Sequence, residues 1–231
     1  MARQNAAPLG EQVYLSLRDD LMTGRISPSQ RLGEEKLAEI YNVSRTPVRE
    51  ALARLLADGL VQRDTDGLYP YRPRLEELAG LYELRITLEL RGIERIRDDA
   101  RLSHDPDVLG PELDHWYTLR KESPAPDAGF VVLDERFHTV LLASSGNKAL
   151  SDALVNVNAR VRPVRMFDYL TPDRMGATID EHIQVAELVL DGDLDAAHAT
   201  LLSHISESRE VVIDRAEQAL SFAKMAWAVR D

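Results

Sequence analysis

Three histidines and one aspartate lie on or beside the apolar faces of helices that are predicted in the second half of the sequence. Asp134 and His138 lie one helical turn apart beside one stripe, His182 joins a second, and His204 lies within a third. A buried carboxylate is costly unless it is paired or bound to a metal. One oxygen and three imidazole nitrogens form a usual ligand set for Zn, Ni, Mn or Fe. Spacing alone is as compatible with separate core histidines as with a metal site, because it does not bring three helices together.

The same four side chains leave other activities open. An ion held by one Asp and three His could keep an open position and activate water, as in a metal-dependent hydrolase or oxygenase. We find no general base placed beside these residues, which weighs against an enzyme. The chain has no cysteine, so thiolate ligands and disulfides are excluded.

A second group of functional side chains lies in residues 34–61, which read as two short helices, a tight turn and a strand. Asn42 is suited to end the first helix, and Ser44 or Thr46 can cap the second, with Pro47 in its first turn. Arg45 and Arg49 share one face at the start of this second helix, with Thr46 beside them. That end of a recognition helix enters the major groove, where Arg and Thr can contact bases or phosphates.

The strand after this second helix is predicted to form a hairpin. Asp66-Gly67 is a turn signal, and residues 69–71 would be the returning strand. The ordered set of caps, turn and hairpin indicates a winged helix-turn-helix. An ordinary helical hairpin with a solvated basic edge is the alternative.

From Leu75 onward the apolar residues keep helical spacing, and short breaks separate the segments. The predicted fold is therefore mainly α. An N-terminal winged helix-turn-helix of three helices and a small β-hairpin is followed by an all-α antiparallel helical bundle. The predicted divisions are a disordered N-terminus at 1–9, a DNA-binding domain at 10–73 and a helical domain at 74–231.

Residues 43–52 (VSRTPVREAL) and 58–61 (DGLV) resemble the DNA-binding domain of the GntR family of bacterial transcription regulators. The resemblance covers roughly residues 10–72. It implies that Ser44, Arg45, Thr46 and Arg49 face DNA, with Gly67 near the tip of the wing. The wing at 64–68 (DTDGL) lacks the basic tip often seen in relatives, so minor-groove contact by the wing is not expected. Arg63 and Arg72 would supply only charge near the DNA backbone.

The helical region resembles the FCD domain, the effector-binding domain of the FadR-type branch of that family. The resemblance covers about residues 75–222 and rests on several short motifs: 134–138 (DERFH), 145–147 (SGN), 181–182 (EH), 192–193 (GD) and 204–205 (HI). It implies a divalent metal bound by Asp134, His138, His182 and His204, with a small carboxylate completing the coordination. Arg85 matches an Arg that often faces the effector cavity, although an interhelical or surface ion pair is nearly as good an interpretation.

Charge is distributed unevenly along the chain. The net charge is −11, yet residues 1–73 carry 10 Lys/Arg and 10 Asp/Glu, so the whole excess lies in 74–231. An acidic second domain would repel phosphate and help to keep DNA on the first. The N-terminus does not resemble a signal peptide, and no apolar run is long enough to span a bilayer. A cytoplasmic protein without membrane association is expected.

The sequence thus predicts a ligand-responsive transcription regulator and repressor that acts as a homodimer on a short palindromic DNA operator. Its expected cofactor is a divalent metal, Zn first, with Ni, Mn or Fe as alternatives, and its expected effector is a small carboxylate. Two other hypotheses remain: a metal-dependent enzyme with a DNA-binding appendage, and a regulator that senses the metal itself.

Overall fold

The computed structural model describes residues 8–22, 25–27, 29–122, 124–125, 129–165 and 172–228. The chain divides into two compact units, Met1–Pro73 and Arg74–Asp231. Residues 1–7 of the predicted disordered N-terminus lie outside the described residues. Leu9, the last residue of that predicted segment, already begins a helix, in which the amide of Gln12 donates to the carbonyl of Pro8.

The first unit contains three helices and a two-stranded antiparallel hairpin. These are α1 (Leu9–Met22), α2 (Glu34–Ile40), α3 (Arg45–Ala57), β1 (Val61–Asp64) and β2 (Gly67–Pro70). The strands pair in a register that sets Val61 opposite Pro70 and Asp64 opposite Gly67. Leu17, Val48 and Leu55 are fully buried in one core that α1, α2 and α3 share with β1. The predicted winged helix-turn-helix is confirmed.

Local backbone chemistry accounts for the turns around α3. Asn42 has a positive φ of 52°, the left-handed conformation that lets the chain leave α2. Ser44 occupies the N-cap position in an extended conformation, but its hydroxyl forms no capping hydrogen bond, contrary to one use predicted for it. Gly59, with a φ of 72°, follows α3, and the amide of Leu60 bonds back to the carbonyl of Leu55.

The second unit consists of helices in the residues that the structure describes. They are α4 (Leu75–Asp98), α5 (Pro106–Glu122), α6 (Phe130–Ser144), α7 (Lys148–Arg165), α8 (Pro172–Asp191) and α9 (Leu194–Ala228). Helix α4 packs against α9 and α7, while α5 packs against α8 and α6. Trp116 of α5 is fully buried and contacts Phe130 and Phe137 of α6 edge-on. The all-α character predicted for this region is confirmed.

None of the described helices is long and apolar enough to cross a membrane.

Candidate metal centre and DNA-binding surface

Helix packing brings together the four side chains singled out on the apolar stripes. Asp134 and His138 come from α6, His182 from α8 and His204 from α9, and each is at most 3% exposed. One potential ligand atom from each residue lies within 4.8 Å of the others. The inward stripes of three helices therefore meet at one buried point, which their spacing in the sequence could not establish.

Two distances within this cluster match the spacing of ligands around a single ion, and two are slightly longer. The Nε2 atom of His204 lies 3.2 Å from Nε2 of His182 and 3.3 Å from Nε2 of His138. Oδ1 of Asp134 lies 3.6 Å from Nε2 of His182 and 3.8 Å from Nε2 of His138. Atoms that each bind one ion at about 2.1 Å are separated by roughly 3.0–3.5 Å.

Two glutamates fix which ring nitrogens carry protons. Nδ1 of His138 lies 2.5 Å from Oε2 of Glu89, and Nδ1 of His204 lies 2.5 Å from Oε2 of Glu181. In a neutral imidazole, an Nδ1–H that donates to a carboxylate leaves a lone pair on Nε2. In that tautomer the Nε2 atom of each ring carries a lone pair directed at the centre of the cluster. Carboxylates placed behind ligating histidines are the usual support of a metal site, so the donor set fits a bound cation.

His182 is oriented by ring packing. Phe137 stacks on it with the two ring centroids 3.9 Å apart, and Trp116 meets it edge-on at 4.3 Å. These contacts aim Nε2 at the centre of the cluster. Burial and the neighbouring His204 lower the pKa of His182 well below its ordinary value, so the ring is neutral. A neutral imidazole is the form that binds a metal.

Asp134 is shared between the cluster and an arginine. Its Oδ2 atom accepts a 2.6 Å hydrogen bond from Nη2 of Arg165, while Oδ1 faces the histidines. Burial alone would raise the pKa of Asp134, but the charge of the neighbouring Arg165 guanidinium holds it well below its ordinary value. The carboxylate is therefore ionised and keeps one oxygen turned toward the imidazoles.

Arg85 lies next to this cluster and is fully buried. Its Nε donates a 2.7 Å hydrogen bond to Oε1 of Glu89, whose other oxygen faces His138. Arg85 and Glu89 are four residues apart on the same helix, α4, and both are buried. Their ion pair is therefore not the interhelical or surface pair considered from the sequence. Nη1 and Nη2 are buried, and neither has a hydrogen-bond partner among the described residues. Arg85 thus combines the ion-pair role with two donors that remain for an anion.

Sequence patterns did not identify Glu89, Glu181 or Arg165. Glu181 adjoins His182 in the chain, so a search for carboxylates beside the ligand histidines would have found it. Glu89 follows Arg85 by one helical turn but is far in the sequence from every ligand histidine. Arg165 ends α7 and carried no such signal. Two further histidines lie outside the cluster: His104 is buried against Ser144, and His198 lies 3.4 Å from Glu94.

The predicted DNA-contacting residues lie together on α3. Ser44, Arg45, Thr46 and Arg49 occupy its cap and first two turns, and all four are exposed. Pro47 and Val48 on the opposite face are buried in the core of the first unit. The helix therefore presents one polar face at its N-terminal end, as the sequence predicted.

The wing has a basic neighbour that the sequence did not reveal. Gly67, the first residue of β2, lies so close to Arg31 that a Cβ added there would be 2.5 Å from Nε of Arg31. The segment before α2 is tied to the hairpin by a 2.8 Å hydrogen bond from the amide of Leu32 to the carbonyl of Leu68. The exposed Arg31 therefore brings a positive charge to a turn whose own residues are acidic.

Comparisons with known proteins agree with this architecture. The family described as "Bacterial regulatory proteins, gntR family" matches residues 9–67, and the FCD domain matches residues 80–207. The chain is 35% identical over 214 residues to the HTH-type transcriptional regulator BphR of Paraburkholderia xenovorans, covering 90% of this chain and 86% of that protein. It is 28% identical over 209 residues to the HTH-type transcriptional repressor RspR of Escherichia coli, covering 89% of each.

A solved structure shares the fold. The transcriptional regulator GntR from Rhodococcus sp. RHA1 matches with a TM-score of 0.75 at 22% sequence identity, covering 89% of this chain and 97% of that chain. The chain therefore shares the fold of that solved structure over most of its length.

Proposed function

The chain belongs to the GntR family and carries an FCD domain, and we propose that it is a repressor whose operator affinity depends on a metal-bound organic acid. Its relatives are transcriptional regulators and not enzymes, so the hydrolase and oxygenase hypothesis is abandoned. The observation that carries the metal proposal is the convergence of Nε2 atoms whose Nδ1 positions face carboxylates.

The proposed cofactor is a divalent ion held by Asp134, His138, His182 and His204. Zn is the preferred ion, and Ni, Mn and Fe also accept this set of nitrogen and oxygen donors. When bound, the ion supplies a site of positive charge to which a carboxylate can coordinate. The protein's part is to hold the ring of His182 neutral, to keep Asp134 ionised, and to exclude bulk water through Phe137 and the other aromatic groups around His182.

The proposed effector is a small carboxylate that also contacts Arg85. A fully buried guanidinium whose two terminal nitrogens have no partner among the described residues favours an anionic group. A carboxylate accepts two parallel N–H bonds from such a group. Arg85 and the proposed ion would thus act on one ligand, and Glu89 links them by contacting both Arg85 and His138.

The proposed output is occupancy of a palindromic operator by a homodimer. Two winged helix-turn-helix units related by two-fold symmetry read two half-sites of a palindrome. The name of the related RspR, a repressor, supports repression as the outcome. An effector that binds one arrangement of the dimer more tightly than another shifts the dimer toward that arrangement. The resulting change in operator affinity is typically 5–150-fold, which corresponds to a coupling free energy of about 1–3 kcal/mol.

Replacing Glu89 with Gln is expected to weaken metal binding by about 10–100-fold, the usual cost of losing a carboxylate behind a metal-ligating histidine. Gln keeps the shape of Glu89 but removes the charge that makes His138 a stronger donor. Competition with a chelator of known affinity measures the change. Glu94→Gln on the same helix is the matched control, since its contacts among the described residues, to Arg91 and His198, lie outside the cluster. Equal affinities in the Glu89 variant and the wild type would contradict the supporting role.

The regulatory function is tested by selecting duplexes from a random DNA pool with the full chain. We expect enrichment of a short palindrome, bound by two chains as determined by light scattering of the complex. Failure to enrich any sequence, or enrichment of a site without two-fold symmetry bound by one chain, would contradict the proposed homodimeric reader.

A further inference from the structure

Glu34, the first residue of α2, joins the two arginines proposed to read DNA. Its Oε1 accepts a 3.0 Å hydrogen bond from Nε of Arg49, and its Oε2 accepts a 2.9 Å hydrogen bond from Nη2 of the same side chain. Oε2 also lies 3.6 Å from Nη2 of Arg45. The carboxylate is 29% exposed and the two arginines 60–67%, so this small ionic cluster lies at the surface.

The contact with Arg49 occupies one defined edge of its guanidinium. Two parallel hydrogen bonds to Nε and Nη2 fix the plane of the group as well as its position. The edge formed by Nη1 and the second hydrogen of Nη2 is not used by Glu34. An arginine fixed in this way loses less conformational freedom when it contacts a base, because its rotamer is already restricted.

Glu34 also changes the charge that DNA encounters. Two arginines without it would present two positive charges at the start of α3, and the carboxylate reduces this to one. The hydrogen bond from Arg49 holds the pKa of Glu34 below its ordinary value, which keeps the carboxylate ionised at neutral pH. Non-specific affinity for DNA comes almost wholly from phosphate attraction. A negative charge at this position therefore weakens binding to any duplex.

Resting on the proposed DNA-binding function, we propose that Glu34 is a positioning residue that determines operator specificity. It orients the free edge of Arg49 toward a base and lowers the attraction of the surface for phosphates in general. Both effects increase the ratio of operator affinity to non-specific affinity. An ion pair that only stabilised the contact between α2 and α3 would contribute little to either, since exposed pairs have little effect even on stability.

The test compares Glu34→Gln with Glu35→Gln in the full chain. Glu35 is the next residue, is exposed, and enters no ion pair in the described part of the chain, so its variant makes the same change of charge without the contact to Arg49. The probes are the duplex that the wild type selects and a scrambled duplex of equal length and composition. Fluorescence anisotropy measures both affinities at several salt concentrations, and thermal melting verifies that each variant is folded.

We expect Glu34→Gln to lower the ratio of the two affinities about tenfold, since the bidentate base contact of Arg49 that Glu34 positions is lost in both half-sites. Its affinity for the scrambled duplex should rise, and the penalty for changing one base pair in each half-site should fall. Glu34→Asp, which restores the charge on a shorter side chain, should recover the weak non-specific binding but not the base preference.

An unchanged ratio in folded Glu34→Gln, or an equal loss in Glu35→Gln, would overturn the positioning role of Glu34. A uniform loss of affinity at all sequences would overturn it as well, because that is the effect of a merely structural contact. If the wild type itself selects no duplex, the proposed regulatory function fails first. The two failures are therefore distinguishable.

Discussion

Replacing His182 with Ala is expected to abolish stoichiometric metal binding. Wild-type protein purified without chelator should carry about one divalent ion per chain, the stoichiometry of a single four-ligand site. His182 supplies the Nε2 atom that lies 3.2 Å from His204 and 3.6 Å from Asp134, so its loss opens one side of the cluster. Because even supporting residues behind a metal ligand contribute about 10–100-fold in affinity, loss of a ligand should cost at least 100-fold. Elemental analysis and chelator competition measure the change.

Two further variants make the His182 result interpretable. His182→Gln retains more of the side-chain volume packed against Phe137 and Trp116, and it should also lose the ion while remaining folded. His198→Ala removes a histidine from the helix that carries His204, but outside the cluster, and should keep the ion. Full metal content in folded His182 variants would contradict the assigned ligand set.

Replacing Arg49 with Ala is expected to abolish specific operator binding. Arg49 is exposed on the second turn of α3, and its Nη1 edge is available to a base. One bidentate contact to a base is worth about 1–3 kcal/mol, and a dimer loses two of them, so the operator affinity should fall roughly 30-fold or more. The affinity for scrambled DNA should fall much less, since it depends on the summed charge of the surface. Anisotropy with the selected duplex measures both values.

Arg120→Ala is the charge-matched control for this prediction. Arg120 lies on α5 in the second unit, next to Tyr117 and Asp180, and belongs to the helical domain. Its removal should leave operator binding unchanged within about twofold, allowing for long-range electrostatics. If Arg49→Ala retained full operator preference in a folded protein, α3 would not be the recognition helix of this chain.

The fold of the first unit could be predicted from the sequence because the residues that indicate it act locally. Asn42 favours a left-handed conformation, Pro47 suits a first helical turn, and Gly59 permits the chain reversal after α3. Each of these residues determines the backbone conformation only within a few residues along the chain. The contact between Arg31 and Gly67 was not readable, because 36 residues separate the two and only the folded hairpin brings them together.

The metal cluster was predictable in its composition but not in its assembly. Helical spacing assigns Asp134, His138, His182 and His204 to inward faces, yet nothing in that spacing determines which faces meet. The resemblance to a known domain supplied that step, and the packing of α6, α8 and α9 brings the ligand atoms within 4.8 Å. Glu89 was missed because a carboxylate on α4 has no sequence relation to a histidine 49 residues away.

The most direct test of the central claim is operator affinity measured with the full chain after chelation, after reloading with metal, and with metal plus a panel of small carboxylates. We predict that at least one carboxylate changes the affinity of the metal-loaded protein by about 5–150-fold and leaves the chelated protein and His182→Ala unaffected. A full response to metal alone would instead identify a metal sensor. An equal response to carboxylate with and without the ion, or no response to any, would contradict the account.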